Sequence, residues 1–253
     1  MNLGLEGKKV AIAGSSRGMG LAFARQFHEE GAKVWLTGRG RDALKTAASS
    51  LDDAPYTTCD LESSAGRALF HDEVSVRWGS VDALILNVGG GSSTFSGLGT
   101  PDEEWLRMLT LNFLTHVSLI RLFRGLLARG SQPAVISISS IVGAARIGGP
   151  LSYSTAKAAL NAFCTTSSAE LIQEGIRYNV VSPGHVLTEG NSWSQKIAEN
   201  PAGVKKRIDD TVPMKRFGSP EEIASFVAFL ASNRASFCTG ANIRVDGGQT
   251  PCV

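Results

Sequence analysis

The sequence predicts an α/β fold: a single domain with a doubly wound parallel sheet of about seven strands flanked by helices. Three observations predict it. Short apolar runs alternate with longer amphipathic stretches along the 253 residues, the first apolar run breaks into a glycine-rich turn, and no linker divides the chain. Strand, helix, strand in repetition implies right-handed crossovers and a sheet covered on both faces. Such a sheet binds its ligands outside the carboxyl ends of the strands.

The first strand is read at residues 10–13, Val-Ala-Ile-Ala, between Lys8-Lys9 and Gly14. It is far too short for a signal segment or a membrane span, so it is a buried strand. Further apolar runs at 33–37, 56–58, 83–87, 134–138, 178–182 and 242–245 read as the other strands. Helical spacing of apolar residues fills the intervals at 21–30, 64–78, 102–127, 152–173 and 221–231. The least regular region is 185–212, where Pro201, Gly203 and mixed charges interrupt the periodicity. Long inserted loops of this kind cover binding sites, and it is read as a substrate lid. Within it Lys205-Lys206-Arg207, offset by Asp209-Asp210, reads as a solvated helix face. A cofactor-binding half then spans about 1–135 and a catalytic and substrate half about 136–253.

Composition excludes several classes of function. Lys and Arg number 25 against 23 Asp and Glu, so no global field recruits nucleic acid or an anionic membrane. Cys59, Cys164, Cys238 and Cys252 are scattered without CxxC spacing, and no secretory segment precedes them. Reduced thiols in a cytoplasmic protein are the expectation. His28, His71, His116 and His185 share no ligand spacing with each other or with the cysteines, so no metal site is expected.

The turn after the first strand, Gly14-Ser-Ser16-Arg17-Gly18-Met19-Gly20, suits a pyrophosphate. Glycines let the backbone turn sharply and approach a phosphate, while the following helix offers free N–H groups and the positive end of its dipole. The second strand runs into Gly38-Arg39, where a fold preferring NAD places a carboxylate for the ribose hydroxyls. Arg17 and Arg39 instead fit an adenosine 2′-phosphate, since guanidinium matches phosphate geometry with paired donors; two solvated surface arginines are the alternative. The expected cofactor is therefore NADP(H). Asp60, with Leu61 beside it, is placed either to accept from the adenine amino group or to cap the next helix. Asn87-Val-Gly89-Gly90-Gly91 carries more glycine than a turn needs, which close backbone approach to a cofactor explains.

The catalytic signal is Tyr153-Ser-Thr-Ala-Lys157, preceded by Ser140 past the end of the strand at 134–138. Residues at i and i+4 share a helix face, so Tyr153 and Lys157 point into one cleft. A free tyrosine, with a pKa of about 10, is a poor base near neutrality. An ammonium about 4 Å away stabilises the phenolate by roughly 4 kcal/mol before desolvation is subtracted. That brings the phenol toward working pH, and Lys157 also reaches ribose hydroxyls. Ser140 donates a hydrogen bond to the reacting carbonyl oxygen; its neighbour Ser139 is the competing assignment. His185 and Trp193, in the lid, are candidates to touch substrate; a solvent-facing histidine and an aromatic cap on the core are the alternatives.

With these residues in place the chain resembles the classical short-chain dehydrogenase/reductase family, and the resemblance covers nearly its whole length. It rests on Gly14-x-x-x-Gly18-x-Gly20, Asp60, Asn87-x-Gly89, Asn112, Ser140, Tyr153-x-x-x-Lys157, Pro183-Gly184 with Thr188, and a tail from Arg216-Phe-Gly-Ser-Pro220 to Asp246-Gly-Gly248. The resemblance implies a Rossmann-type fold, transfer of the nicotinamide pro-S hydride, and a catalytic tetrad of Asn112, Ser140, Tyr153 and Lys157. Within it Asn112 resembles the residue that pins a water in a proton relay through Lys157; from sequence alone it is equally a kink or packing residue inside a helix. Pro183, Gly184, Val186 and Thr188 resemble the groups around the nicotinamide carboxamide. The family's basic positions match Arg17 and Arg39, in support of NADP(H). Two departures stand out: Ala13 replaces a threonine whose hydroxyl braces the glycine loop, and Leu86-Asn87-Val88-Gly89 replaces Asn-Asn-Ala-Gly.

The expected activity is that of an NADP(H)-dependent oxidoreductase interconverting a small-molecule ketone and a secondary alcohol. Within the family 3-oxoacyl-thioester reductases are the leading expectation, with sugar, polyol, steroid or secondary-metabolite ketones close behind and a non-catalytic dinucleotide sensor as the contrasting class. The tail resembles the tetrameric branch, so a homotetramer is expected, with a homodimer as the alternative and helices around 102–127 and 152–173 pairing across one interface.

Overall fold

The computed structural model describes residues 2–91, 95–145 and 147–250; Cys252 lies outside them. Seven strands form one sheet: β1 (Lys9–Ala13), β2 (Lys33–Gly38), β3 (Tyr56–Thr58), β4 (Ala83–Leu86), β5 (Ala134–Ile138), β6 (Arg177–Pro183) and β7 (Asn242–Val245). All pairs are parallel, in the order β3-β2-β1-β4-β5-β6-β7. The order turns back at β1, where Ile12 lies opposite Leu36 of β2 on one side and Ile85 of β4 on the other. At such a switch point successive connections leave toward opposite faces, and the loops after β1 and β4 open a crevice between them.

Alternation along each strand builds two cores at once. Val10, Ile12, Val34, Leu36 and Ile85 face one layer with Phe23 and Phe27 of α1 (Gly18–Glu29) and Val227 of α9 (Pro220–Ala231). Ala11, Ala13, Trp35, Leu84 and Leu86 face the other. There they meet Phe70 of α3 (Ser64–Trp78), Phe123 of α5 (Thr115–Leu127) and Cys164 of α6 (Leu151–Leu171). Successive strand side chains point to opposite faces, so a strand apolar at every position is one buried on both. Burying each large side chain contributes about 1.5–3 kcal/mol, which makes these layers the frame that holds the strand ends in place.

The expected strands stand within one residue at either end, and three helical segments differ from the expectation. α2 (Arg41–Ser49) went unread because only Leu44, Ala47 and Ala48 of its nine residues are buried. The stretch 102–127 is one rod in three parts: α4 (Asp102–Leu109), a π-helical turn at Thr110–Leu114, and α5. The region 185–212 is not irregular loop throughout, since it holds α7 (Ser192–Glu199) and α8 (Pro201–Thr211). Pro201 does not interrupt α8 but begins it. Proline suits the first helical position, and the Asn200 side chain caps the turn by accepting from Gly203 N at 2.9 Å. α7 and α8 fold onto a small core of their own, made of Val204, Ile208 and Val212 with Trp193, Ile197 and Phe217.

Candidate active site

The glycine turn at the carboxyl end of β1 is braced from inside the protein. Gly14, at φ +78°, donates its N–H to Thr37 Oγ1 at 2.9 Å, and Thr37 Oγ1 donates to Ile12 O at 3.1 Å. Ser15 Oγ also donates to Ile12 O and accepts from Thr37 N at 2.9 Å. The bracing that Ala13 cannot supply thus comes from two buried hydroxyls, Ser15 and Thr37. On the far side Asn87 Nδ2 donates to Gly14 O at 2.8 Å, tying the end of β4 to the loop. Gly20 is required by packing: a Cβ there would stand 1.9 Å from Gly14 O. No side chain caps the first turn of α1 at Arg17, so its leading N–H groups face the crevice.

The crevice is a cavity of about 480 Å³. Of the expected cofactor residues, Gly14, Ser16, Arg17, Gly18, Arg39, Asp60, Leu61, Asn87, Gly89 and Thr188 line it. Sequence reasoning missed Ala43, Cys59, Glu62, Leu111 and Asn191, which also line it and carry no motif of their own. Met19, Gly20, Pro183, Gly184, Val186, Tyr153 and Lys157 do not line this cavity. Met19 packs on the core, Gly20 closes the loop, a Cβ on Gly184 would meet Asp246 at 2.8 Å, and Val186 bridges to Gly218. The residues present fit a phosphorylated dinucleotide: glycine backbone without Cβ atoms, an uncapped helix start, and two arginines with no carboxylate at the end of β2. Arg39 stands 3.8 Å from Glu62, an exposed pair of the kind worth at most about 1 kcal/mol, so a phosphate readily displaces that partner. Asp60 is not the cap of α3: Ser63 accepts from Gly66 N, and Asp60 Oδ1 accepts from Glu62 N at 3.0 Å.

The catalytic candidates gather where β4, β5 and α6 meet. Ser139 and Ser140 part company at the end of β5. Ser139 is buried and its hydroxyl donates to Lys157 O at 3.3 Å, whereas Ser140 is half-buried and its hydroxyl accepts from Val142 N at 3.4 Å. The short turn after Ser140 is pressed on α6, since a Cβ at Gly143 would meet Lys157 C at 2.6 Å. Lys157 is buried, its Nζ donating to Ile138 O at 2.8 Å and standing 5.8 Å from the Tyr153 ring centre. Asn112, fully buried in the π-helical turn, accepts from Gly90 N at 2.9 Å and donates to Gly90 O at 3.1 Å and Met108 O at 3.2 Å. Gly89 and Gly91 lie close over the group: Cβ atoms there would stand 2.7 Å from Asn112 Oδ1 and 3.2 Å from the Tyr153 ring. That approach accounts for the surplus glycine after β4.

Burial acts on both members of the pair. Burial raises the Tyr153 phenol above its usual value against the downward pull of the Ser140 hydrogen bond. Burial also lowers Lys157 to about 7. Desolvation penalises the charged form of each. His116, one helical turn beyond Asn112, escaped notice as a functional residue, although its i+4 spacing was legible. It is fully buried, with Nε2 2.8 Å from Val88 O and Nδ1 3.1 Å from Ser137 Oγ. Burial first, then Lys157, lowers it to about 3. It is a neutral strut between α5 and the ends of β4 and β5.

The two candidates from 185–212 meet each other. His185 packs on Trp193 with ring centres 4.5 Å apart, and Gln249 clasps the histidine through its N–H at 3.2 Å and its Nε2 at 2.8 Å. His185 is therefore held by the tail of the chain rather than free in solvent. Trp193 also lies against Phe217 at 5.3 Å, within the small lid core. Among the described residues no group of histidine, cysteine and carboxylate side chains is arranged to hold a metal, and no helix is long and apolar enough to cross a membrane.

Residues 13–250 match a family model described as enoyl-(acyl carrier protein) reductase. The chain is 30% identical over 254 residues to 3-oxoacyl-[acyl-carrier-protein] reductase FabG of Chlamydia muridarum, covering 98% of this chain and 100% of that protein. It is 32% identical over 250 residues to acetoacetyl-CoA reductase of Synechocystis sp., covering 98% and 99%. The crystal structure of L-sorbose reductase from Gluconobacter frateurii, complexed with NADPH and L-sorbose, superposes with a TM-score of 0.93 at 33% identity and full coverage of both chains.

Proposed function

The chain belongs to the classical short-chain dehydrogenase/reductase family, and on that premise we propose that it is an NADP(H)-dependent oxidoreductase interconverting a ketone and a secondary alcohol. The observation that carries the reading is the gathering of Ser140, Tyr153, buried Lys157 and buried Asn112 around Gly89 and Gly91, at the rim of a cleft fit for a phosphorylated dinucleotide. Gly14, Arg17, Gly18 and Arg39 hold the cofactor's phosphates, and Asp60, Asn87 and Thr188 border the rest. Held there, NADPH would supply a hydride to the carbonyl carbon. Tyr153 gives its proton to the carbonyl oxygen, while the Ser140 hydroxyl donates to the same oxygen and orients it. Lys157, poised near neutrality and tethered to Ile138 O, resupplies the proton along a path that Asn112 borders.

A 3-oxoacyl thioester is the first substrate to try, supported by the acyl-carrier-protein and acetoacetyl-CoA relatives; a sugar ketone is the second, supported by the sorbose reductase. The whole chain is taken as one domain in the cytoplasm, with 185–212 as its lid. Leu106, Leu114, Leu122 and Leu151, exposed along α4 to α6, support an interface between copies on that face, in keeping with a homotetramer or a homodimer; light scattering reads four or two subunit masses accordingly. The direct test is a panel of ketones followed by NADPH absorbance in wild type and Tyr153→Phe. Loss of the phenolic proton should cut turnover by about 10²–10⁴-fold with NADPH affinity retained. A dinucleotide sensor would bind cofactor and turn over nothing in either form.

A further inference from the structure

The lid carries cations that its own carboxylates do not neutralise. α8 presents Lys205, Lys206 and Arg207 in succession. Lys205 pairs with Asp209 at 2.7 Å and Lys206 with Asp210 at 2.8 Å, each one turn further on. The residue one turn beyond Arg207 is Thr211, whose hydroxyl donates to the Arg207 carbonyl. Arg207 has no ion pair among the described residues and turns the other way. Its Cζ lies 5.4 Å from the Trp193 ring centre, and its Nη2 lies 3.9 Å from where a Cβ on Gly148 would be. Lys196 of α7 reaches the same ring, with Nζ 4.8 Å from its centre, and it too has no ion pair among the described residues.

Two contacts tie this cluster to the connections that flank the reaction centre. Gly148 belongs to the connection that leads from Ser140 to α6, just ahead of Tyr153. Trp193 packs on His185, which follows the end of β6. Arg207 and Lys196 both act on His185, adding to the burial that lowers it to about 4, so the ring stays neutral and does not compete for an anion. Two cations gathered on one indole ring repel each other, and an aromatic face offsets only part of that. Both side chains are exposed, and a negative group brought by a ligand would offset their repulsion, a guanidinium fork and an ammonium being matched donors for it.

We propose that Lys196 and Arg207, seated on Trp193, hold an anionic group of the substrate, so that the ketones this protein prefers carry a carboxylate or a phosphate away from the reacting carbonyl. The assignment rests on the reductase reading above. The probe is 4-oxocyclohexanecarboxylate against its neutral amide, each reduced with NADPH by wild type, Arg207→Gln, Lys196→Gln and the control Lys205→Gln. Wild type and Lys205→Gln should favour the acid in kcat/KM by about tenfold or more, chiefly through KM. That ratio should fall toward one in Arg207→Gln and Lys196→Gln, and in wild type as salt rises.

A second arm compares acetoacetyl-CoA with the acetoacetyl thioester of N-acetylcysteamine, which lacks the phosphates. A ratio that depends on Arg207 in this arm identifies the anion as phosphate; one that depends on it in the first arm identifies it as carboxylate, and either supports the site. Turnover with no charge preference in either arm, or a preference that survives both lid substitutions, overturns the assignment while leaving the reductase reading intact. Failure to reduce any ketone, charged or neutral, overturns both.

Discussion

Lys157 shows how burial, rather than spacing, decides what a side chain contributes. Its position one turn after Tyr153 was legible, and so was its sharing of a face with the phenol. What spacing omitted is that the ammonium is buried, 5.8 Å from the ring and bound to Ile138 O, so that its own charge is penalised. The site is kept at a cost in stability that depends on pH. With a pKa of 10.5 in the unfolded chain and about 7 in the fold, the folded protein binds fewer protons between those values. Stability from this residue therefore rises with pH across that window, and the penalty is full below pH 7 and gone above 10.5. Lys157→Met should accordingly raise the denaturation midpoint most at pH 6, by a free energy of order ~3 kcal/mol, with the gain shrinking toward pH 10. A gain independent of pH in urea titrations would show that the ammonium is not the source. Ser139 and Ser140 teach the same lesson: adjacent and chemically identical, they are told apart only by which one α6 covers.

At the scale of elements, local chemistry made the strands and the long helices readable, because periods of 2.0 and 3.6 are written in neighbouring residues. The lid was misread for a local reason, since Asn200-Pro201 is a cap followed by a first-turn proline and signals a start, not a break. The π-helical turn was beyond reach, because its buried Asn112 is tethered to Gly90, a residue on a different connection. The glycine loop shows both sides: Gly20 was singled out for phosphate contact, yet its missing side chain admits Gly14 O. Gly20→Ala should force loop and helix apart, weakening NADPH binding at least about tenfold and destabilising the fold by about 1–3 kcal/mol. Cofactor fluorescence titration and thermal melting check it, and unchanged affinity would mean that the loop's packing is irrelevant to the cofactor.

For the whole molecule, the sheet order sets which loops can share a ligand. β1 and β4 are adjacent though far apart in sequence, so Gly14 and Asn87 close one crevice, and the loops after β2 and β3 bring Arg39 and Asp60 to its end. A ligand that fills this crevice links its affinity to global stability. At a hundredfold excess over Kd the gain is about 2.7 kcal/mol, or roughly 5–10 °C in Tm for a chain of this length. NADP⁺ should give a larger rise than NAD⁺ at equal concentration in wild type, and Arg39→Ala should bring the two together. Equal rises in wild type would remove the 2′-phosphate from the account.

By itself the chain determined its α/β pattern, its glycine turn and the spacing of Tyr153 and Lys157, because each of these is a relation among residues a few positions apart. Tertiary structure alone decided the burial of that pair, the different exposure of Ser139 and Ser140, the bracing of the loop by Ser15 and Thr37, and the turning of Arg207 away from its acidic neighbours. Those outcomes depend on desolvation and on contacts across long stretches of sequence, and neither is carried by any short window of residues.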